Sequence, residues 1–354
     1  MNALSTLAAS PPAEPDEQAA AAALARLYEG ESIGAEGAEI LFAALVEGRL
    51  DDPSIAAMLI ALRVRGETAD ELIGAARALR AADEDFPRPD YLFADSCGTG
   101  GDGSGSINVS TAAAFVAAAA GLPVAKHGNR SITSRCGSAD VLERLGAKLD
   151  VSATTSRRAL DETGICFLFA PRYHPGLRHA GPVRRTLKVR TMMNVLGPCL
   201  NPAEPQVQLL GVADPRLIEP VARTLAGLGV ERALVVHGAG LDEIALHSET
   251  EAVRLIDGEI ERLILSPEQA GLRRRPIAGL AGGGPEENAE RLKSLLMGYG
   301  DDTETETVAL NAGALLMIAG LAADLKEGTE RAMDAVRSSE AHRRLNLFVE
   351  ATHG

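Results

Sequence analysis

Two short segments hold most of the residues able to do chemistry. Asp95 to Thr111 reads D-S-C-G-T-G-G-D-G-S-G-S-I-N-V-S-T, and Ala125 to Ser131 reads A-K-H-G-N-R-S. Glycines let main chain approach a ligand closely, and successive free N–H groups form a nest for an anion. Ser96, Thr99, Ser104, Ser106, Asn108, Ser110 and Thr111 add hydroxyl and amide partners. The helix expected after this loop adds the positive end of its dipole. The second segment supplies two cations, Lys126 and Arg130, with His127 and Asn129 between them. Together they describe a pocket for a small, highly phosphorylated ligand. No G-K-S/T closes the loop and its glycines do not follow the dinucleotide spacing, which disfavours an ATPase or a nicotinamide enzyme. The plainer alternatives are a tight strand-to-helix turn, and cations that merely pair with carboxylates. Residues 103–139 contain no Asp or Glu, so such a carboxylate must come from elsewhere in the chain.

A second acid-free stretch separates Glu162 from Glu204 and carries Arg172, Arg178, Arg184, Arg185, Lys188 and Arg190, with His174 and His179 among them. In a chain of net charge −14 this is a localised positive field suited to holding a small polyanion. Two of these cations are expected at the site, and the rest on the surface. Asn194 to Pro202 (N-V-L-G-P-C-L-N-P) reads as a sharp turn beside the pocket. Downstream, Asp242 and Glu243 follow a strand that ends at His237 and Gly238. Adjacent carboxylates past a strand end suit Mg²⁺, which takes one or two carboxylates plus phosphate oxygens and water. The alternative is an ordinary solvated acidic dipeptide.

The elements that must position these residues fall into two groups. Residues 1–16 are rich in Ala, Pro and Ser and read as a loose tail. From about Gln18 to Arg80 apolar residues recur every three to four positions, which predicts an all-helical lobe. Thr68 and Glu71 form a capping-box pattern there. After Pro87 strands and helices alternate, which predicts α/β architecture with a mainly parallel sheet. Strands are expected at 91–94, 122–125, 166–170, 207–212 and 233–237, with an edge strand at 261–265. Helices are expected at 110–120, 138–145, 156–162 and 217–228. Beyond Pro285 helices dominate, including one near 307–323.

The acidic balance, 49 Asp and Glu against 35 Lys and Arg, argues against general nucleic-acid or anionic-membrane binding. Aromatic residues make up 3% with no Trp, so stacking platforms for single strands are absent. The longest apolar tract, 112–125, is too short to span a bilayer. Residues 1–25 hold no Lys or Arg, which disfavours a targeting signal. Cys97, Cys136, Cys166 and Cys199 lie far apart and read as reduced thiols of a cytoplasmic protein.

Eight strings in order closely resemble the anthranilate phosphoribosyltransferase family, over about residues 18–350. They are G-T-G-G-D-G at 98–103, N-V-S-T at 108–111, K-H-G-N-R-S at 126–131, G-S-A-D-V-L-E at 137–143, F-L-F-A-P-x-x-H-P at 167–175, P-V-R-R at 182–185, R-T-x-x-N-x-L-G-P-x-x-N-P at 190–202 and G-L-D-E at 240–243. The resemblance implies transfer of the phosphoribosyl group of PRPP to the amine of anthranilate, a step of tryptophan biosynthesis. It implies the fold shared with pyrimidine nucleoside phosphorylases: a small helical domain, 17–85 with an added segment near 185–203, and an α/β domain of 88–184 and 204–350. It also implies a homodimer, and anthranilate synthase components on separate chains.

Residue by residue, the resemblance places Gly98, Thr99, Gly100, Gly101, Asp102, Ser106, Asn108, Ser110, Thr111, Lys126, Asn129, Arg130, Ser131 and Ser138 around PRPP. Gly98, His127, Asn129, Tyr173, His174 and Arg184 fall on the anthranilate side, with Arg184 meeting its carboxylate. His127, Asn129 and Arg184 are the catalytic candidates. Ser110, Asp242 and Glu243 are the metal ligands, for two Mg²⁺ ions. The chain departs from the commonest family strings at 174–179 and 191–200 by apolar or small changes that remove no charged role. Two other readings stand beside this one. A pyrimidine nucleoside phosphorylase would show a base-recognition signature, and a nucleic-acid-binding relative would have lost Asp242, Glu243, His127 or Arg184 and gained basic surface.

Overall fold

The computed structural model describes residues 15–131 and 135–354. Four helices come first: α1 (Pro15–Tyr28), α2 (Gly34–Val46), α3 (Asp52–Arg65) and α4 (Ala69–Ala81). Pro15 and Asp16, expected in the tail, open α1, and the rest of that tail lies outside the described residues. The carboxylate of Asp51 caps α3 by accepting from the Ser54 N–H at 2.9 Å. The box at α4 is complete: Thr68 accepts from the Glu71 N–H, and Glu71 accepts from the Thr68 N–H. Glu71 is fully buried, and its second oxygen accepts from the Ile33 N–H at 3.0 Å, so one side chain ties α2 to α4.

The second lobe is built on one seven-stranded sheet of order β3-β2-β1-β4-β5-β6-β7. Its strands are β1 (Ala94–Gly98), β2 (Val124–Gly128), β3 (Ile165–Phe169), β4 (Val207–Gly211), β5 (Arg232–His237), β6 (Thr250–Ile256) and β7 (Glu259–Leu265). The first five are parallel, and β6 and β7 add an antiparallel hairpin at one edge. The chain leaves β1 toward β2 and β3, then returns to the other side for β4 and β5. That reversal opens a crevice at the carboxyl ends of β1 and β4, where open α/β sheets bind ligands.

Helices α5 (Val109–Ala119), α6 (Ser138–Arg144), α7 (Ala153–Thr163), α8 (Ala170–Tyr173), α9 (Gly181–Leu187), α10 (Met192–Leu196) and α11 (Ile218–Gly227) connect the strands. The chain ends in α12 (Pro285–Leu296), α13 (Asp302–Ile318), α14 (Leu325–Arg337) and α15 (Glu340–His353). Buried α5, rich in alanine, packs against α13. Helices α9 and α10 turn back to the first lobe: Val183, Met192 and Leu196 share an apolar cluster with Leu41, Met58 and Leu62.

The structure departs from the sequence expectation in several elements. The first strand runs 94–98, not 91–94, because the parallel ladder to β4 pairs Ala94 through Gly98 with Val207 through Gly211. The second runs 124–128, so Lys126 and His127 sit on a strand and not in a loop. β6 has no counterpart in the sequence reading, since its apolar residues are broken by Glu251 and Arg254. The long helix starts at Asp302, capped by Asp301, five residues before the expected position. Among the described residues no helix is long and apolar enough to cross a membrane.

Candidate active site

A cleft of about 330 Å³ opens at the switch point between β1 and β4. The glycine loop after β1 forms one wall. Gly100, Gly101, Gly103 and Gly105 all have positive φ, between +60° and +78°, which turns the loop back over the strand end. Asp102 closes a turn within it, accepting from the Ser104 N–H and Oγ–H at 2.9 Å each. The Thr99 N–H donates to the Gly211 carbonyl, which fastens the loop to β4.

Asp242 and Glu243 face this loop. Asp242 accepts from the Gly100 N–H at 2.6 Å, and its own N–H lies 3.4 Å from Asp102 Oδ2. Glu243 accepts from the Ser110 N–H at 3.1 Å. The positive end of α5 therefore meets a carboxylate here, where the sequence suggests a phosphate. Two glycines make room: a Cβ at Gly98 would strike the Asp242 carboxylate, and one at Gly211 would strike its backbone carbonyl. Burial, then the neighbouring Asp102, pushes Asp242 up to about 7, and burial and Asp242 push Glu243 well above the ordinary range. Carboxylates crowded and desolvated this way want a cation. Among the described residues no three His, Cys, Asp or Glu side chains form a self-sufficient metal cage. Two hard oxygen donors facing a phosphate loop fit Mg²⁺ completed by ligand oxygens.

Lys126 and His127 stand on β2 on opposite sides. The Lys126 ammonium donates to the Ser96 carbonyl and to Ser110 Oγ, the latter at 3.2 Å, at the floor of the glycine-loop wall. Ser96 Oγ and Thr111 Oγ1 are buried there without a hydrogen-bond partner. His127 lies 6% exposed, with Nε2 3.0 Å from His174 Nε2 and the rings edge to face. Burial, reinforced by His174 and Lys126, pulls the His127 ring far below its ordinary value, so it is neutral at pH 7.

Arg184 reaches the cleft from α9, half-buried, and Leu177 and Met193 line the same cleft. Its guanidinium makes no ion pair among the described residues, and burial alone lowers its pKa. A half-buried arginine with no ion pair among the described residues is suited to an anionic group of a ligand.

The glycosyl transferase family, helical bundle domain, matches residues 21–82, and the glycosyl transferase family, a/b domain, matches residues 90–342. The anthranilate phosphoribosyltransferase of Sorangium cellulosum strain So ce56 is 57% identical over 323 residues, 91% of this chain and 93% of the relative. The chain belongs to the anthranilate phosphoribosyltransferase family. Among solved structures, that of the Thermus thermophilus family member superposes with a TM-score of 0.89 at 42% identity, covering 94% of this chain and 99% of the other. The Saccharomyces cerevisiae member in complex with PRPP and Mg superposes at 0.87 and 26% identity, covering 95% and 98%.

The cleft gathers every residue that the sequence resemblance nominates, with one exception. Tyr173 is 1% exposed and packs edge-on against Phe86, ring centroids 6.4 Å apart, so it faces a small core while its neighbour His174 faces the cleft. Three other side chains line the cleft with their polar groups already engaged. Arg130 pairs with Glu143 at 2.6 Å and lies over the Phe169 ring. The Asn108 amide donates to the Cys136 carbonyl at 3.2 Å, and its oxygen accepts from Asn288. Ser138 Oγ donates to the Asn129 carbonyl.

Three contributors escape the sequence reading. Gly211 sits in an ordinary-looking strand end, and nothing local marks it. Asp83 belongs to an acidic run, 83–85, that reads as solvated surface. Arg190 is one of six cations in its stretch. Its guanidinium donates to the Gly100 carbonyl at 2.5 Å, while the Arg63 side chain holds the Arg190 carbonyl.

Proposed function

We propose that this protein transfers the 5-phosphoribosyl group of PRPP to the amine of anthranilate, giving N-(5-phosphoribosyl)anthranilate and pyrophosphate in tryptophan biosynthesis. The observation that carries the reading is the meeting of two unlike groups of residues in one cleft. A glycine loop with two carboxylates suits a magnesium-bound polyphosphate, and Arg184, without an ion pair among the described residues in a cleft that Leu177 and Met193 also line, suits a benzoate. A benzoate gives the Arg184 guanidinium a full counter-charge where a pyrimidine base offers only neutral carbonyls, and the acidic chain gives nucleic acid no footprint.

In this reading PRPP lies along Gly98 to Asp102, Ser106, Asn108, Ser110, Thr111, Lys126, Arg130, Ser131 and Ser138. Anthranilate lies against Gly98, His127, Asn129, His174 and Arg184. Asp242, Glu243 and Ser110 hold two Mg²⁺ ions, which when bound neutralise charge on the leaving pyrophosphate. The loop N–H groups and Lys126 meet the same developing charge. The C1–O bond to pyrophosphate breaks and the C1–N bond forms, with no covalent enzyme intermediate. The principal contribution of the protein is alignment of the amine with C1. His127, neutral at pH 7, is placed to take the proton the amine loses.

The helical domain comprises 17–85 with the added segment near 185–203, and 88–184 with 204–350 forms the PRPP-binding domain. The protein works as a cytoplasmic homodimer, with anthranilate synthase components on separate chains. Four buried cysteines outside any disulfide suit a reducing compartment. The test mixes PRPP, Mg²⁺ and anthranilate and follows the loss of anthranilate fluorescence. Thymidine with phosphate runs in parallel. Turnover of the second pair without the first would overturn the assignment.

A further inference from the structure

The segment that joins the two lobes enters the cleft from behind. α4 ends at Ala81 and β1 begins at Ala94; between them the Asp83 carboxylate bonds His174 Nδ1. His174 Nε2 in turn meets His127 Nε2 at 3.0 Å. The three side chains form one buried line, Asp83–His174–His127, from the interlobe segment to the cleft wall. The segment is docked independently at the next residue. The Glu84 N–H donates to the Tyr173 carbonyl at 2.8 Å, and the Glu84 carboxylate pairs with Arg172 at 2.8 Å.

We propose that Asp83 is a positioning residue for the transfer reaction: it fixes the tautomer of His174, through it orients His127, and offsets the proton His127 takes from the attacking amine. The inference rests on the reading of the cleft given above. Its chemistry follows from donor and acceptor counting. An ionised carboxylate only accepts, so His174 carries its hydrogen on Nδ1. Nε2 of His174 is then a lone pair, which accepts from Nε2–H of neutral His127. That leaves Nδ1 of His127 as the basic nitrogen of the line. As C1–N forms, an N–H bond of the amine breaks and its proton goes to His127 Nδ1. The resulting buried imidazolium is linked through His174 to the Asp83 anion, and the line becomes neutral overall.

The other charges around the line do not serve this role. Lys126, next to His127 on β2, and Arg80, on α4, both oppose a proton on the ring. Asp95 bonds the backbone N–H of His127 at 3.3 Å, not the ring. Glu204 faces Asp83 and forms an ion pair with Arg80 at 3.6 Å, and Arg172 is shared by Glu84 and Asp150. The Gly197 backbone favours the charged His127 ring directly, and Asp83 reaches that ring only through His174. Asp83 is therefore the anion in contact with the pair.

The test compares wild type with Asp83→Asn and Asp83→Glu across pH, varying each substrate. Asn is expected to lower kcat by about 10–100-fold while both KM values move by less than about threefold. The acid limb of the kcat profile should move about one pH unit lower, because His127 loses the anion that favours its proton. Glu should restore part of kcat and return the limb toward the wild-type position. An Asn variant within about twofold of wild-type kcat, or one that loses activity at every pH with the limb unmoved and no rescue by Glu, overturns the proposal. Histidine ¹⁵N NMR reads the tautomer without any turnover. Nδ1-protonated His174 in wild type, lost in Asp83→Asn, is expected, and an Nε2-protonated His174 in wild type refutes the line. A wild-type protein inactive on PRPP and anthranilate with the expected NMR result would instead fail the reading of the cleft.

Discussion

Replacing Arg184 by Ala separates the two halves of the cleft. Among the described residues the guanidinium has no ion-pair partner to lose, and burial already works against its charge. Its removal therefore costs the fold little, and Tm should hold or rise slightly. Anthranilate, by contrast, loses a charge-assisted contact contributing about 1.5–3 kcal/mol. At about 1.4 kcal/mol per tenfold, its KM should rise ~10–150-fold. The PRPP KM should change by less than about threefold, because the glycine loop and the carboxylate pair line the cleft from other elements and make no bond to Arg184 among the described residues. Lysine keeps the charge but not the planar fork, so Arg184→Lys should fall between. Initial rates of fluorescence loss with each substrate varied in turn give both constants. Equal rises in the two KM values would refute the reasoning, as would a large fall in Tm, which would place Arg184 in the fold and not in recognition.

Gly211→Ala puts a Cβ into the Asp242 backbone carbonyl, which has nowhere to go; activity and Mg²⁺ dependence should deteriorate together while far-UV circular dichroism holds. Glu243→Gln replaces an anionic oxygen donor by a neutral amide while keeping an acceptor for the Ser110 N–H, and Mg²⁺-dependent PRPP binding by calorimetry should weaken by at least ~10-fold. Burial opposes the charge on Glu71, but Arg65 and the Thr68 and Ile33 N–H groups outweigh it and hold its pKa below the ordinary value. A depressed carboxylate contributes stability above its unfolded value, about 4.3, and loses it as pH falls through the folded value. Glu71→Gln should therefore cost ~3 kcal/mol at pH 7, roughly 4 °C in Tm at ~2.1 cal/mol/K per residue, and the gap from wild type should close below about pH 4 in a thermal-shift series.

What the sequence disclosed and what it hid follow from range. The Thr68–Glu71 box, the period of α1 to α4 and the glycine loop are written in neighbouring residues, and each formed as read. The same local reading misplaced β1 and β2. Asp95, Lys126 and His127 look like loop residues, yet a parallel strand buried on both faces need not alternate, and each of these three side chains meets a partner far along the chain. Lys126 finds Ser96 and Ser110; His127 finds His174. Gly211 matters because of residue 242, and Asp83 because of residue 174, so neither carries a local mark. Tyr173 is displaced for the opposite reason. It sits next to a cleft residue in sequence, but one step along α8 and its end turns a side chain from the cleft to the core.

The placement of the two walls on different parts of the fold assigns a function to the packing between them. The phosphate wall is made by the sheet, through β1, β2 and the turn after β5. Arg184 and Met193 lie on α9 and α10, which share their apolar cluster with α2, α3 and α4. That cluster continues into α11, β4 and β5 through Val221, Leu225, Leu210 and Val235. At the seam Gly227 lies against Ile73 with no space for a Cβ, and Arg80 spans it by donating to the Leu228 and Cys199 carbonyls. Arg190 adds a polar strap at the mouth, from the α9–α10 segment to Gly100. A close-packed seam resists sliding far more than a loop resists bending. If the proposed roles hold, the distance between an amine near Arg184 and a ribose carbon at the glycine loop is set by the fit of α4 on α11, some way from any reacting atom. For a reaction whose protein contribution is alignment, the seam belongs to the catalytic apparatus as much as the residues that line the cleft.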